Sequence, residues 1–577
     1  MKHLKGITTA ALLAVLMLLL EACAKTTTTH PESITESQDE AVVETSTKIV
    51  HSTEYVMIKE ILGDTRIYDL SDEDVLTPYY EMATERKAAI LNSTTEIVKS
   101  DEFIPGQTYT GTAYYISPSG NDENDGLTPE TAWKSAHRAN WGDIQEGDAV
   151  FFERGGTYRL SISAINAVTN ATYSAYGEGA KPIITLAQEN SARSECWELW
   201  HEGENGEMIW RYYQQVGDVA GIVLDDEEYA KRVLEWPTPD GWLALDIKAM
   251  DPANGICAVE DPCSPMQIAS AGEYRTVEAQ LVSDLTYISR IDISDLEYPL
   301  ILGAEYRSGD LYLRCDAGNP GECYDDIAVI AIQLTEWDDP YDTLFDGAHA
   351  DGWVLDNLSF KHYGSSAIFS FMNSSRGAVI QNCTVEWGGN RINQVQSEEP
   401  TNNFCLIGDG IYCVVNNVTI RNNYMRHGGN SFTFESGGEQ VEDLGTYLAE
   451  GNLIENCGQG IRTYFIDSPF VGALDELILR NNIIIASGDS MNNACAEEPV
   501  AIDLGHDNIQ YANRIEVSGN IMIGSTLAML RMPDHRMVDI EFFDNVIAQD
   551  NEGTLITEFS EKYGYEIVWY SMMDALE

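Results

Sequence analysis

From about Asp351 to Gln549 the chain repeats one phrase with variations: WVLDNLSF, AVIQNCTV, VTIRNNYM, LAEGNLIENC, LILRNNIII, IEVSGNIMI and EFFDNVIA. Each is a short apolar or β-branched run, a turn containing Asn, and a second apolar run. The Asn positions are 357, 382, 423, 452, 482, 520 and 545, and their spacing falls in the range of a repeat architecture. Asn tolerates a left-handed backbone better than most side chains, which suits a tight corner between strands. Stacked Asn amides can also satisfy one another from rung to rung. The pattern predicts an all-β chain wound as a parallel β-helix.

Each repeat carries a second, glycine-led strand: SSAIFSF, GDGIYCV, GNSFTFE, GQGIRTY and VAIDLGH. Alternation of side chains in a strand puts Ile368, Ile411, Phe432, Ile461 and Ile502 inside. Phe369, Tyr412, Thr433, Arg462 and Asp503 then form an outward column.

Before the repeats, Met1–Leu20 has the charged start and apolar core of an export signal. Leu20-Glu21-Ala22-Cys23 resembles a bacterial lipobox, although Glu21 departs from its usual small or apolar residue. The expectation is a surface-anchored, extracytoplasmic lipoprotein with lipid on Cys23. Residues 24–47 are rich in Thr, Ser and Glu and read as a tether. Residues 48–110 read as a helical arm, with a helix between Ser71 and Val98 whose apolar positions include Val75, Tyr79, Met82, Ile90 and Leu91. A cap and first coil are expected over 111–190, a β-rich insertion over 191–345, the main β-helix over 346–550, and a tail over 551–577.

The net charge of −59 excludes nucleic acid as a partner, because phosphate binding needs a basic surface. Among eleven cysteines, the pairs Cys257/Cys263 and Cys315/Cys323 have the spacing of local disulfides, given export. Cys383 and Cys457 read as buried fillers. No His/Cys spacing suits zinc. Asp122–Gly126 does not fit a calcium loop and reads as a turn. The expected assembly is a monomer whose only membrane contact is the lipid.

The stretch AYYISPSGNDENDGLTPETAWKSAHRAN from Ala113, with GDAVFFERGGTYR and SAYGEGAKPII after it, resembles the opening of exported, carbohydrate-active right-handed parallel β-helix proteins of the pectate-lyase-like superfamily. The later LYL and GNP elements, Leu311–Leu313 and Gly318–Pro320, are similar to the inserted β-rich segment of many such proteins. The resemblance covers roughly Ala113 to Gln549. It implies a short helix capping the first coil near Ala132–Ala139, a β-sandwich-like insertion beside a groove, and a glycan bound or cleaved in that groove. Trp197, Trp200, Trp210, Trp236 and Trp242 are the insertion's candidates for stacking on sugar rings.

Glycoside hydrolysis needs two carboxyl groups across the scissile bond, one protonated and one ionised. Glu435 and Asp503 lie on alternate rungs with Arg462 between them, and are the expected acid, base or nucleophile, and orienting cation. Tyr464, His427, His506, Asp467 and Tyr412 are expected to contact substrate, a polysaccharide or oligosaccharide. Asp409 precedes one strand, Asp507 follows His506, and Asp534 and His535 follow a later strand. No cofactor is required by this scheme, although an acidic groove can hold Ca²⁺. A polysaccharide lyase is the alternative; lyases of this fold generally use a Lys or Arg base, and the nearest lysine is Lys361, with Arg462, Arg531 and His427 as other bases. A third reading is a non-catalytic glycan-binding or adhesion protein, since a solenoid face binds extended partners without chemistry.

Overall fold

The computed structural model describes most of residues 62–571. Residues 1–61, 252–255, 260–285, 290–309, 335–339, 396–403, 437–444, 466–473, 489–498, 505–511, 533–539, 559–567, 572–577 and a few single or paired positions fall outside the description. Cys23 and Cys263 lie outside it, as do the side chains of Cys257, Trp236 and Trp242.

Three parallel faces wind about one core. One coil runs Tyr424–Arg426, then Asn430–Ser436, then Thr446–Glu450, and the next coil repeats it with Leu453–Glu455, Gln459–Phe465 and Leu474–Arg480. Every strand pairs in parallel with its counterpart one coil on. The coil is a right-handed parallel β-helix, the hand that crossover connections almost always take. The expected interior stack is present in register: Ile368, Ile411, Phe432, Ile461 and Ile502 are successive partners, continued by Leu530 and Ile556. All seven are buried.

The corner is built from two residues rather than one. The left-handed position is held by Asn357, Asn382, Asn422, Gly451, Asn481, Gly519 and Asp544, with φ between 53° and 68°. The residue after it points into the corner, and from Asn423 onward it is Asn. Asn423, Asn452, Asn482, Asn520 and Asn545 are all buried. Each amide up to Asn520 donates to the next Asn's Oδ1 at 2.9–3.1 Å. Its second N–H goes to a strand carbonyl one coil back, as from Asn482 to Ala449 at 3.0 Å. Asn357 and Asn382 therefore stand one place earlier than the other five, with Leu358 and Cys383 in the inward position. An Asn at the corner serves either backbone strain or amide stacking, and the repeated phrase mixes the two.

The arm adds the strand Arg66–Asp69 in parallel to Val546–Gln549, the far end of the solenoid. The helix Glu73–Leu91 then runs back along the coils. Its 19 residues span about 28 Å at 1.5 Å each. That matches about 29 Å for the six rungs, at about 4.8 Å per rung, between the Asp544 and Asn357 corners it links. Leu76, Ala83 and Ile90, seven apart, bury against Tyr424, Leu453, Ile483, Ile521 and Val546. Of the expected seam Ile90 is buried, whereas Met82 and Leu91 are exposed, Tyr79 packs only at the edge, and Leu76 and Ala83 take the other inward places. A Ser93 contact closes the arm, its Oγ bonding Asn357 Oδ1 and accepting from Lys181 Nζ, both at 2.8 Å.

At the opening of the solenoid, Ala113–Ile116 and Ala149–Glu153 are parallel rungs. Two short 3₁₀ turns, Pro129–Thr131 and Ala136–Ala139, stand where a capping helix was expected. Asp122 accepts from the backbone N–H groups of Lys134 and Ser135, and Asp125 from Leu127 and Thr131, which makes this segment a hydrogen-bonded turn.

The insertion forms a mostly antiparallel sheet in the order Trp197–Glu202, Met208–Tyr212, Leu311–Arg314, Thr286–Ser289, Glu228–Thr238, Val219–Leu224, Ile327–Ala331. It has its own core, which takes Trp197 and Trp210. Of the insertion tryptophans whose side chains are described, Trp200 alone is well exposed. Cys315 and Cys323, one buried and one exposed, do not form the expected local disulfide with each other. Between them the chain makes a helical turn capped by Asn319, which fixes their separation independently of any bridge.

The turn at Asp226 fastens the insertion to the solenoid. Asp226 bonds Lys361 at 2.6 Å and Arg426 at 3.2 Å, and both cations also hold Glu386, at 3.4 and 2.6 Å. Trp387 Nε1 donates to Asp226 at 2.7 Å, and Arg426 lies over the Trp387 ring. Two cations thus face two carboxylates on three successive rungs.

Candidate functional site

The glycine-led strands open with four-residue heads in register: Asp409-Gly410-Ile411-Tyr412, Asn430-Ser431-Phe432-Thr433 and Gln459-Gly460-Ile461-Arg462. Val500-Ala501-Ile502-Asp503 follows on the next rung. A Cβ on Gly410 would collide with the Ser431 carbonyl oxygen and approach Val385, and one on Gly460 would collide with the Ala501 carbonyl oxygen and approach Ile484. Both are directions into the coil. The second residue of each head therefore faces inward along with the third, and must be small. This local kink turns the first and fourth residues outward together, which strict alternation would forbid.

Two polar columns result. The fourth-place column runs Phe369, Tyr412, Thr433, Arg462, Asp503, Arg531. Phe369 and Tyr412 stack at 5.5 Å with their planes 11° apart. The first-place column supplies Asp409, Asn430 and Gln459.

Asp409 Oδ1 accepts from Asn430 Nδ2 at 2.9 Å and Thr433 Oγ1 at 2.7 Å. Burial raises its carboxyl above the ordinary carboxylate range, against the pull of those hydrogen bonds and of Arg462. Asp503 has a different setting. Its Oδ2 accepts from Arg531 Nη1 at 3.0 Å and Gln459 Nε2 at 3.1 Å, and the side chains of the ion pair are each 1% exposed. Thr463 Oγ1 holds its backbone carbonyl at 3.0 Å. The site thus has one acid that burial favours in the protonated form and one that meets a guanidinium. A contrast of this kind can divide acid and base roles between two carboxyl groups.

Arg462 and Asp503 are register partners, as the sequence leads one to expect. Tyr412 stands two rungs before Arg462 in the same column. Glu435 opposes Tyr464 by backbone register, two residues beyond Thr433 and Arg462. The side chains of Glu435 and Tyr464, and all of Asp467, His506, Asp507, Asp534 and His535, lie outside the described residues. His427 is not brought to this face. It stacks on Trp387 at 4.1 Å beside Tyr229 of the insertion, and burial lowers its pKa to about 4. Lys361 is committed to Asp226 and Glu386.

Asn430 and Gln459 escaped the sequence reading; Thr433 entered it only as a member of the outward column, Asp409 only as a flanking group, and Arg531 only as an alternative base for a lyase. Their signal is the residue just before each small second position, legible once the kink is known. Elsewhere, a groove of about 700 Å³ lies between the arm and the Asn corner, lined by Arg86, Gln381, Asn382, Arg421, Asn422 and Glu450 among others. Its groups largely satisfy one another: Arg421 bonds Gln381 at 2.6 Å and Asn382 bonds Thr95 at 3.0 Å. Among the described residues no three His, Cys, Asp or Glu groups are placed to hold a metal ion.

The class that this coil defines is the right-handed parallel β-helix. No protein-family model matches the chain. A lacto-N-biosidase of Bifidobacterium longum subsp. longum is 34% identical over 101 residues, which is 16% of this chain and 6% of that protein. The chain therefore matches only a small part of that relative. Among solved structures, it is similar to the GH136 lacto-N-biosidase from Eubacterium ramulus, with a TM-score of 0.33 and 12% identity over 78% of this chain and 58% of that one. It is also similar to XylC in complex with xylose, at 0.37 and 10%, covering 80% and 73%. Pectate lyase Pel9A gives 0.33 and 9%, covering 83% and 74%. The fold assignment rests on the strand register given above.

Proposed function

We propose that the protein is a carbohydrate-active enzyme, a glycoside hydrolase that takes a polysaccharide or oligosaccharide across the outer face of the glycine-led strands. The observation that carries this reading is the pair of unlike carboxyl groups, Asp409 desolvated and Asp503 opposite Arg531. In this scheme Asp409 is the general acid and Asp503 the ionised partner three rungs on, about 14 Å between strands at about 4.8 Å per rung and wider than the usual spacing of a glycosidase couple, with Arg462 orienting the substrate between them. Glu435, the acid expected from sequence, sits beyond Thr433 on the same strand and is the competing assignment. The comparisons with a lacto-N-biosidase and with β-helix glycosidases agree with a glycan substrate.

Hydrolysis is favoured over β-elimination because Lys361, the lysine that a lyase would recruit, already faces two carboxylates. The test is incubation with neutral and uronic glycans, read for new reducing ends and for the ultraviolet absorbance of an unsaturated uronide. Reducing ends alone mean hydrolysis. Asp409→Asn, Asp503→Asn and Glu435→Gln then separate the assignments: loss of about 10²-fold or more in turnover marks the acid–base couple. A protein that binds glycan equally well with all three replaced, and turns over none, is the non-catalytic surface protein instead.

Export as a lipoprotein anchored through Cys23 belongs to the same proposal, resting on the charged, apolar and lipobox-like segments of the first 23 residues. Cys23→Ala should move the protein from the membrane fraction to the soluble one.

A further inference from the structure

The groove between the arm and the Asn corner satisfies most of its hydrogen bonds internally but leaves its charge unbalanced. It holds about 700 Å³ along the corners at Asn382, Asn422, Gly451 and Asn481, three rung steps or about 14 Å. That volume is in the range of small-molecule sites. Every side chain lining it is polar, and the rest of the lining is glycine.

Arg421 forms part of one wall. Its Nε and Nη2 both donate to Gln381 Oε1, at 2.9 and 2.6 Å, which spends two of its five N–H groups. Gln381 is 2% exposed and held in that orientation, because its Nε2 donates to the Gly106 carbonyl at 3.1 Å and to Asp356 Oδ1 at 3.0 Å. The guanidinium plane is thus fixed with its Nη1 end unspent. Arg86 reaches the groove from the arm helix, and its Nη1 donates to the Asn481 carbonyl. Burial lowers the pKa of the Arg86 guanidinium, and no carboxylate offsets the effect. Among the described residues both cations meet neutral oxygens only.

The acids nearby have cations of their own. Glu450, the register partner of Arg421, lines the groove and accepts from Arg480 at 2.8 Å. Asp356, beneath Gln381, is 0% exposed, accepts four side-chain donors at 2.8–3.0 Å, and feels the charges of Lys181 and Arg154. Two guanidinium charges therefore remain for a ligand, in a chain of 34 basic and 93 acidic residues. A partly buried charge is costly until an opposite one meets it, and the free end of a fixed guanidinium suits a carboxylate. The exposed amides of Asn422 and Asn481 beside the cations offer donors and acceptors to hydroxyls. The groove has no apolar pocket for a peptide's anchor side chain. The acidic excess elsewhere repels a long polyanion, which limits the ligand to a short one.

We propose that this groove is a second saccharide site, apart from the outer face of the glycine-led strands, in which Arg421 and Arg86 hold the carboxylates of a short uronate oligosaccharide. The site binds and takes no part in turnover, so it goes beyond the hydrolase reading and does not depend on it.

The test is titration calorimetry on the full chain. The probes are uncleavable thio-linked uronate trimers of gluco and galacto configuration, their methyl esters, the matching neutral trimers, acetate and inorganic phosphate. One uronate trimer should bind at least about tenfold tighter than its ester and its neutral counterpart. Arg421→Gln and Arg86→Gln should each weaken it about tenfold or more, as the loss of a charged hydrogen bond implies. Asp409→Asn should leave this binding unchanged. The ester comparison is read on native protein, so it decides the matter even where an arginine variant fails to fold. Ester or neutral trimer bound as tightly as the uronate overturns the proposal, as does no binding by either uronate. Acetate or phosphate bound as tightly as the trimer also overturns it, leaving a simple anion site. Binding lost in Asp409→Asn and kept in Arg421→Gln places the ligand on the glycine-led strands and overturns it too. The hydrolase reading is judged by turnover alone and survives each of these results.

Discussion

Arg531 and Asp503 form an ion pair at 3.0 Å on the outer face of a sheet, yet both side chains are 1% exposed. Asp409, on the same face, accepts hydrogen bonds from Thr433 and Asn430 instead, and Arg462 acts on it through its charge. The two acids should therefore answer replacement in opposite ways. Asp503→Asn strands a buried guanidinium and should lower stability by about 3–5 kcal/mol, the usual cost of breaking a buried pair. Thermal unfolding checks this.

Asp409→Asn should raise the melting temperature at neutral pH while abolishing most turnover. The sign follows from its raised pKa. A carboxyl whose pKa is higher folded than unfolded favours folding at low pH, and loses that contribution as pH rises through the folded value. The advantage of the Asn variant should thus shrink as pH falls into the ordinary carboxylate range. If Asp409 is the general acid, activity should fall on the alkaline side with the same pKa, and the variant's residual activity should lack that limb.

The Asn ladder should fail cooperatively. Asn482 donates to Ala449 and Asn520, and accepts the backbone and side-chain N–H groups of Asn452. Asn482→Leu leaves several buried groups unsatisfied at about 1–3 kcal/mol each, and should shift the melt more than any single capping loss. Combining it with Asn520→Leu should cost less than the sum of the two, because they share one bond.

Glu386 is 5% exposed in its side chain and holds both Lys361 and Arg426. Glu386→Ala leaves two cations against Asp226 alone, and should destabilise by about 3–5 kcal/mol. The insertion should become the first segment cut in limited proteolysis. If Lys361 were a catalytic base, Lys361→Met would remove turnover without this proteolytic signature.

The arm's seam is a separate test. Ala83 is 3% exposed against the solenoid, whereas Met82 beside it is 43% exposed. Ala83→Glu should loosen the helix and expose it to hydrogen exchange, and Met82→Glu should change neither.

Periodicity alone determined the solenoid. Ile411, Phe432, Ile461 and Ile502 were placed in one stack from the repeated phrase, and the register agrees, because a parallel coil demands like residues at like positions. The outward pairing of Arg462 with Asp503 followed by the same rule. Tertiary structure decided what a two-residue period cannot carry. A kink that aims positions 410 and 460 at the next coil's carbonyl, where glycine fits and a Cβ would collide, turns Asp409, Asn430 and Gln459 outward against strict alternation. The partners of Asp503 come from rungs 44 residues back and 28 residues on, a closeness that coil length sets and no local motif records. His427 and Lys361 were drawn away by Asp226 and Tyr229, from a segment some 130 to 200 residues earlier in the chain. Local pattern sets which way a side chain faces; only packing between distant coils sets what it meets there.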